Sequence, residues 1–227
     1  MVIHGYNTGS IQTLATRLHD CDVSLRWGGP QVAGAINGEC HLMDGLEQLQ
    51  TLQAANIPIP QFVVNADYGI NFEGLWLARR RNHTQGSDII QVGQHIRGRR
   101  PWRRSDYFVK YIPAVREWRF HILNGDSIAR GLKYYTGLRN NAGPIPNQPD
   151  PIIRSRRLGW HLNHEPNPPK ALRQLAKSAV AAIGYDLAAV DLLELEDGSG
   201  VVLECNSRPA IRDEYTLTKY EQAFRSL

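Results

Sequence analysis

The stretch from Asp186 to Asn206, DLAAVDLLELEDGSGVVLECN, constrains this chain more than any other. Two apolar runs of strand length flank a turn signal rich in Asp, Gly and Ser, so the pair reads as an antiparallel hairpin. Pairing the runs across a four-residue loop, Asp197 to Gly200, sets Glu196 opposite Val201 and Leu195 opposite Val202. It also sets Leu193 opposite Glu204 and Asp191 opposite Asn206. Strand side chains alternate between faces, so the face that carries Leu193 and Leu195 also gathers Asp191, Glu204 and Asn206. A carboxylate in apolar company is costly unless it is paired or meets a cation. Two carboxylates and an amide carbonyl form an oxygen-only set of the kind Mg²⁺ takes beside phosphates and waters. Without a cation the two acids repel and one pKa rises. A solvated strand end is the plain alternative.

The rest of the chain mixes strands and helices. In MDGLEQLQTLQAANIPIP, Leu46, Leu49 and Leu52 recur at helical spacing, and Asn56 and the prolines end the helix. PPKALRQLAKSAVAAIG has proline at its start, apolar residues on one face and Gly184 at the C′ position. Ser10 is the expected N-cap of an early helix over IQTLATRLH, and TLTKYEQAF is expected to be helical. Strands are expected at VSLRW, QFVVN, LWLARR, IIQVGQHI and YFVKYI. EWRFHIL and SIARGLKYY flank Asn124-Gly125, a strong hairpin signal. Residues 136–169 read mostly as loop. Several antiparallel hairpins among helices point to α+β lobes and away from a doubly wound parallel sheet. Neither G-x-G-x-x-G nor a Walker A lysine is present, so Rossmann and P-loop readings find no support.

Charge and cysteine usage narrow the partners. The formal net charge is +4, and ARRRNH and RGRRPWRR concentrate the arginines. Such clusters attract phosphates of a nucleotide, a nucleic acid or an anionic substrate, although a solvated basic surface has the same composition. Cys21, Cys40 and Cys205 form no C-x-x-C pair, which argues against a disulfide framework or zinc site and fits a reducing cytoplasm. No apolar run is long enough to span a bilayer. MVIHGYNTGS lacks the pattern of a secretory signal.

Taken in order, four blocks resemble the ATP-grasp superfamily and cover residues 40–225. GYDLAAVDLLELEDGSGVVLECNSRPAI resembles its C-terminal signature, a metal-binding Asp on one strand and an E-x-N pair on the next. SDYFVKYIPAVREWRFHILNGDSIARGLKYY resembles a hinge strand for adenine, an E-x-R strand and a hairpin ending in a basic residue. LWLARRRNHTQGSDI resembles the basic strand and polar loop over the phosphates. MDGLEQLQTLQAANIPIPQFVV resembles the preceding helix-plus-Pro segment. The nearest likeness is to small phage-type ATP-grasp proteins akin to carboxylate–amine ligases, such as the glutamate ligases that modify a ribosomal protein.

The resemblance implies a short N-terminal lobe (1–60), a small ATP-grasp subdomain (61–108) and a large subdomain with the metal site (109–227). The two α+β subdomains would grip ATP. It implies ATP with Mg²⁺ or Mn²⁺, a carboxylate substrate and an amine acceptor, an acyl-phosphate intermediate, and a cytoplasmic setting, the host's if the chain is phage-encoded. Asp191, Glu204 and Asn206 take the metal positions. Arg79 takes the α/β-phosphate position, with Arg80 as the fallback, and His83, Gln85, Gly86 and Ser87 the phosphate cover. Val109, Lys110 and Tyr111 fall on the hinge strand. Glu117 and Arg119 match E-x-R; Arg119 is assigned to the transferred phosphoryl group, and Lys133 joins it. Arg154, from the group Arg154, Arg156 and Arg157, is assigned to phosphate or the substrate carboxylate, and Arg208 to the acceptor substrate. An ATP-grasp kinase, and a nucleic-acid or phage-structure binding module using Arg97–Arg104 and Trp102, are the alternatives. One conflict is explicit. A two-residue Asn-Gly turn sets Lys133 opposite Arg116, away from Arg119. Only a bulge brings Lys133 opposite Glu117.

Overall fold

The computed structural model describes residues 1–6, 9–64, 73–81, 89–92, 105–137 and 152–227. Among them the chain forms three sheets. A parallel pair, β1 (Val2–Gly5) and β2 (Ser24–Trp27), flanks α1 (Gly9–Arg17) in an N-terminal lobe. Next come α2 (Gly45–Ala54), β3 (Phe62–Val64), β4 (Trp76–Arg79), β5 (Ile90–Val92) and β6 (Tyr107–Lys110). These strands make an antiparallel four-stranded sheet in the order β3-β6-β4-β5. The remainder comprises β7 (Arg116–Leu123), β8 (Asp126–Tyr135), β9 (Trp160–Asn163), α3 (Lys170–Ile183), β10 (Leu187–Glu194), β11 (Gly200–Asn206) and α4 (Glu214–Arg225). Its strands form an antiparallel five-stranded sheet ordered β11-β10-β7-β8-β9. This is the α+β arrangement expected, with the parallel pair confined to the N-terminal lobe.

Alternation along β7 and β10 sorts the large sheet into two faces. Trp118, Phe120 and Ile122, with Val190, Leu192 and Val202, bury against Leu172, Ala176, Ala179, Val180 and Ile183 of α3. The opposite face is divided. At one end Leu123 and Leu187 lie under Leu217, Tyr220 and Phe224 of α4 and under the N-terminal lobe. At the other end no helix among the described residues covers the sheet, and Glu117, Arg119 and Asp191 line a cleft. Burying each large apolar side chain contributes about 1.5–3 kcal/mol, so the covered end holds the open end in shape.

Local signals place the helices. Asp44 accepts from the backbone N–H groups of Leu46 and Glu47, and Glu47 reaches back to the Asp44 N–H, a complete capping box. Asn56, at φ +56°, stops the chain just past α2, and Gly184, at φ +77°, closes α3. Asp213 caps α4 through the Thr216 N–H.

Three expectations need correction, and one strand, β1, was not anticipated. Ser10 lies within α1, which starts at Gly9, so it is not the cap. β1 carries no turn signal or alternation strong enough to mark it. The supposed loop 136–169 contains β9, whose four half-buried residues are too few to show a period. The β10–β11 hairpin closes one residue tighter than expected: Leu195 N–H donates to Ser199 O at 2.9 Å across a loop of Glu196, Asp197 and Gly198. Asp197 accepts from the Ser199 N–H and hydroxyl, and Gly198 takes φ +79°, which together favour the tighter turn. Leu193 therefore faces Val201 and Leu192 faces Val202. The ladder then shifts at Leu203, so that Asp191 faces Glu204 and Ala189 faces Asn206.

The other hairpin resolves its conflict in the same way. Asn124 (φ +47°) and Gly125 (φ +80°) make a two-residue turn that pairs Leu123 with Asp126. Past Ser127 the register shifts by one, with Ile128 as the extra residue, and Arg119 faces Gly131. The turn and the bulge are both present.

Candidate active site

Two carboxylates and two cations of the large sheet form a compact cluster. Arg119 donates to Asp191 through Nε and Nη2, at 2.7 Å to each carboxylate oxygen. Lys133 Nζ lies 3.2 Å from Asp191 Oδ2 and donates to Glu117 Oε1. Arg154 approaches the other Glu117 oxygen at 3.9 Å. Its guanidinium also donates to Ala114 O at 3.2 Å and stacks over the Trp160 ring, 5.3 Å from the centroid. These contacts follow from the registers just described: Asp191 faces Arg119 on β7 and Glu204 on β11.

Electrostatics match the geometry. Burial by itself would disfavour the charged forms of Arg119 and Lys133, but the facing carboxylates, Asp191 foremost, outweigh it and hold both pKa values above the ordinary range. Burial pushes the Asp191 carboxyl up; Arg119 and then Lys133 overcome that and hold it below the usual carboxylate range. Glu117 goes the other way. Burial raises its pKa despite Lys133, and the negative charge of Asp191 adds to the rise. His121, one step along the same face, is wholly buried with Nδ1 2.8 Å from the Tyr220 hydroxyl. Burial, then Arg119, depress its pKa to about 3, so it is neutral.

Around this cluster opens a cleft of about 1580 Å³ between the two larger sheets. Arg79 reaches in from β4, 4.0 Å from Glu204 Oε2, and Asn206 Nδ2 donates to Glu204 Oε1 at 2.8 Å. Val109, Lys110 and Tyr111 line it from β6 and its end. The N–H groups of Lys110 and Tyr111 are already engaged, donating to Gln61 O and Leu75 O. Arg208 lines the side next to the N-terminal lobe and stacks on Tyr6, 4.8 Å from the ring centroid. Every described residue to which the sequence assigned a site role thus borders one cleft, except the fallback Arg80, which is exposed and does not line it. His83, Gln85, Gly86 and Ser87, the cluster Arg97–Arg104 with Trp102, and the Arg157 side chain lie outside the described residues. Tyr6, Trp160 and Arg212 also border the cleft, and sequence reasoning missed them. Tyr6 and Trp160 stand at unsignalled strands, and Arg212 reads as an ordinary surface charge.

Among the described residues no three His, Cys, Asp or Glu side chains are grouped as a ready-made metal site. The donor set of Asp191, Glu204 and Asn206 nonetheless fits a hard cation. All three line the cleft, and the Glu204 side chain is 32% exposed. Asp191 accepts two N–H groups from Arg119 and one from Lys133. A carboxylate has about four acceptor positions, which leaves one for a metal ion. The Asn206 amide would offer its oxygen, since its nitrogen already faces Glu204.

The chain matches no protein-family profile and no curated protein. Solved structures do match. It superposes on the ATP-grasp ligase PsnB, complexed with minimal precursor, Mg and ADP, with a TM-score of 0.59 at 14% identity, over 86% of this chain and 62% of that one. D-alanine–D-alanine ligase from Bacillus anthracis gives 0.59 at 12% identity, over 99% of this chain and 98% of that one. D-cycloserine synthetase DcsG gives 0.53 at 15%, over 81% and 70%. Against two further PsnB structures the match spans only 60% and 58% of the length of those chains. At such identities the likeness establishes the fold.

Proposed function

We propose that this chain, which carries the ATP-grasp fold, is an ATP- and Mg²⁺-dependent ligase that joins a carboxylate to an amine through an acyl phosphate. The observation that carries the reading is the alignment of Arg119, Lys133, Asp191 and Glu204 on one open sheet face, held there by two bulges. In this reaction class a substrate carboxylate oxygen takes the γ-phosphoryl group and ADP leaves. The amine then attacks the acyl carbon, expels phosphate and gives up a proton. Asp191, Glu204 and Asn206 would hold Mg²⁺, which when bound neutralises phosphate oxygens. Arg119 and Lys133 are fixed donors for the transferred group, already charged and already oriented. Arg79 suits the α/β-phosphates, Arg154 the substrate carboxylate, and β6 the edge of the base. Three free cysteines accord with a cytoplasmic setting, which we also propose.

The test is ATP-dependent phosphate release across a panel of amino acids and small polyamines, with Glu204→Ala as control. Phosphate release that requires the amine, yields an amide by mass spectrometry and falls by about 10²–10³ in the control supports the ligase. ADP with a stable phosphorylated product would identify a kinase and overturn it.

A further inference from the structure

We propose that Arg208 anchors a carboxylate of the substrate other than the group that reacts. The idea rests on the ligase reading for its chemistry, but the site stands on its own geometry. Most cations of the cleft are spoken for: Arg119 and Lys133 by Asp191 and Glu117, Arg154 by Glu117, Arg81 by Asp44 and Arg79 by Glu204. Arg208, Arg212 and Lys110 differ. All three line the cleft, and among the described residues none forms an ion pair or a side-chain hydrogen bond.

Arg208 is nonetheless a built feature. Its guanidinium carbon lies over the Tyr6 ring, 4.8 Å from the centroid. Its stem passes Gly28, which sits at φ +81°, where a Cβ would come within 2.8 Å of Arg208 Cδ and 3.0 Å of Nη1. The N-terminal lobe therefore supplies both a platform and a gap for this one side chain. Stacking satisfies the guanidinium face but none of its N–H donors, and the fork it leaves open matches a carboxylate.

Charge points the same way. Among the described residues lining the cleft there are nine cationic side chains and five carboxylates. A magnesium–nucleotide complex brings about two net negative charges. That leaves the cleft cationic, with unpaired arginines two and six residues past Asn206, the first of them against Tyr6. A second carboxylate on the substrate is the complementary partner. It is carried either by the acyl substrate, as in a dicarboxylic acid, or by the amine, as in an amino acid.

The experiment is calorimetric titration of the full chain loaded with Mg²⁺ and a non-hydrolysable ATP analogue. Glutarate and its monoamide probe the acyl side, and β-alanine and its amide the amine side, with inorganic phosphate as a further arm. On whichever side carries the group, the acid is expected to bind at least tenfold tighter than its amide. Arg208→Met should bring that ratio close to one and Arg208→Lys restore part of it, while the analogue's own affinity shows that each variant is folded. Arg212→Met should lower the ratio less. Equal binding of acid and amide, no binding of either acid, tighter binding of phosphate, or a ratio unchanged in Arg208→Met would overturn the proposal. Failure to bind the nucleotide analogue at all would instead count against the ligase reading.

Discussion

Asp191 is 3% exposed and carries three charged hydrogen bonds, so its negative charge is what lets two cations stay buried beside it. Asp191→Asn keeps the shape and removes the charge. Breaking a buried pair from one side costs about 3–5 kcal/mol, so the variant should unfold at clearly lower urea concentration and lose ATP turnover as well. His121 gives a separate readout. Its folded pKa, about 3, lies below the ordinary 6.5, so between those values the unfolded chain binds more protons than the folded one. Its contribution is complete above pH 6.5 and is lost as the pH falls toward 3. Stability should drop by up to about 1.4 kcal/mol per pH unit through that window from this residue. Urea titrations of His121→Gln, which keeps a polar partner for Tyr220, should show a shallower acid slope. An unchanged slope would show that the acid sensitivity comes from elsewhere. At this scale much was legible: Asp191, Glu204, Asn206 and Arg119 stand out because charges at strand positions are expensive. Arg26 was not, because its five hydrogen bonds go to backbone carbonyls of Gly29, Asn37, Gly38 and Cys40, which sequence cannot pair in advance.

Each hairpin of the site carries one extra residue, Ile128 in β8 and Leu203 in β11. Since strand side chains alternate, a one-residue shift exchanges the two faces. Without Leu203 as the insertion, Glu204 would face Val190 and enter the α3 core. Were Ile128 paired in an unshifted ladder, Lys133 would face Arg116 and lie on the face of Trp118. Deleting Ile128 removes the bulge but keeps Lys133 opposite Glu117, so that variant should fold, judged by its circular dichroism and a cooperative melt, and keep turnover. Inserting a second residue beside Ile128 should move Lys133 to the other face and abolish turnover; retained turnover there would mean that the ladder absorbs the insertion elsewhere. The strands were legible from apolar runs and the Asn-Gly turn. Leu203 was not, because a bulge has no residue signature in an apolar run. Ile128 was legible only as a requirement: the chemistry needed Lys133 beside Arg119, and the turn alone would not put it there. β9 was hidden by its length and by the prolines and glycines around it.

At the scale of the molecule, Asn37 ties the N-terminal lobe to the large sheet. Its Oδ1 accepts from the N–H groups of Asp186 and Leu187 at 2.8 and 2.9 Å, and its Nδ2 donates to Leu187 O at 2.7 Å. Asn37→Ala should therefore cost about 2–4 kcal/mol, since each buried group left unpaired costs about 1–3. Chemical denaturation would measure it, and a loss under about 0.5 kcal/mol would show that the lobe is held by its apolar contacts alone. How the lobe is fastened was not legible, since the partners are about 150 residues apart in the chain.

The cleft's surplus of cations has a consequence for rate. Among the described residues lining it, cations exceed carboxylates by nine to five, and between two sheets their field lines converge. Anionic substrates should therefore be captured by long-range attraction, with association rate constants that fall as ionic strength rises. With a Debye length near 10 Å at about 0.1 M salt, stopped-flow capture of a fluorescent nucleotide should slow several-fold between about 0.01 and 0.2 M. Its dissociation rate should change much less, so that salt acts on arrival and leaves residence almost untouched.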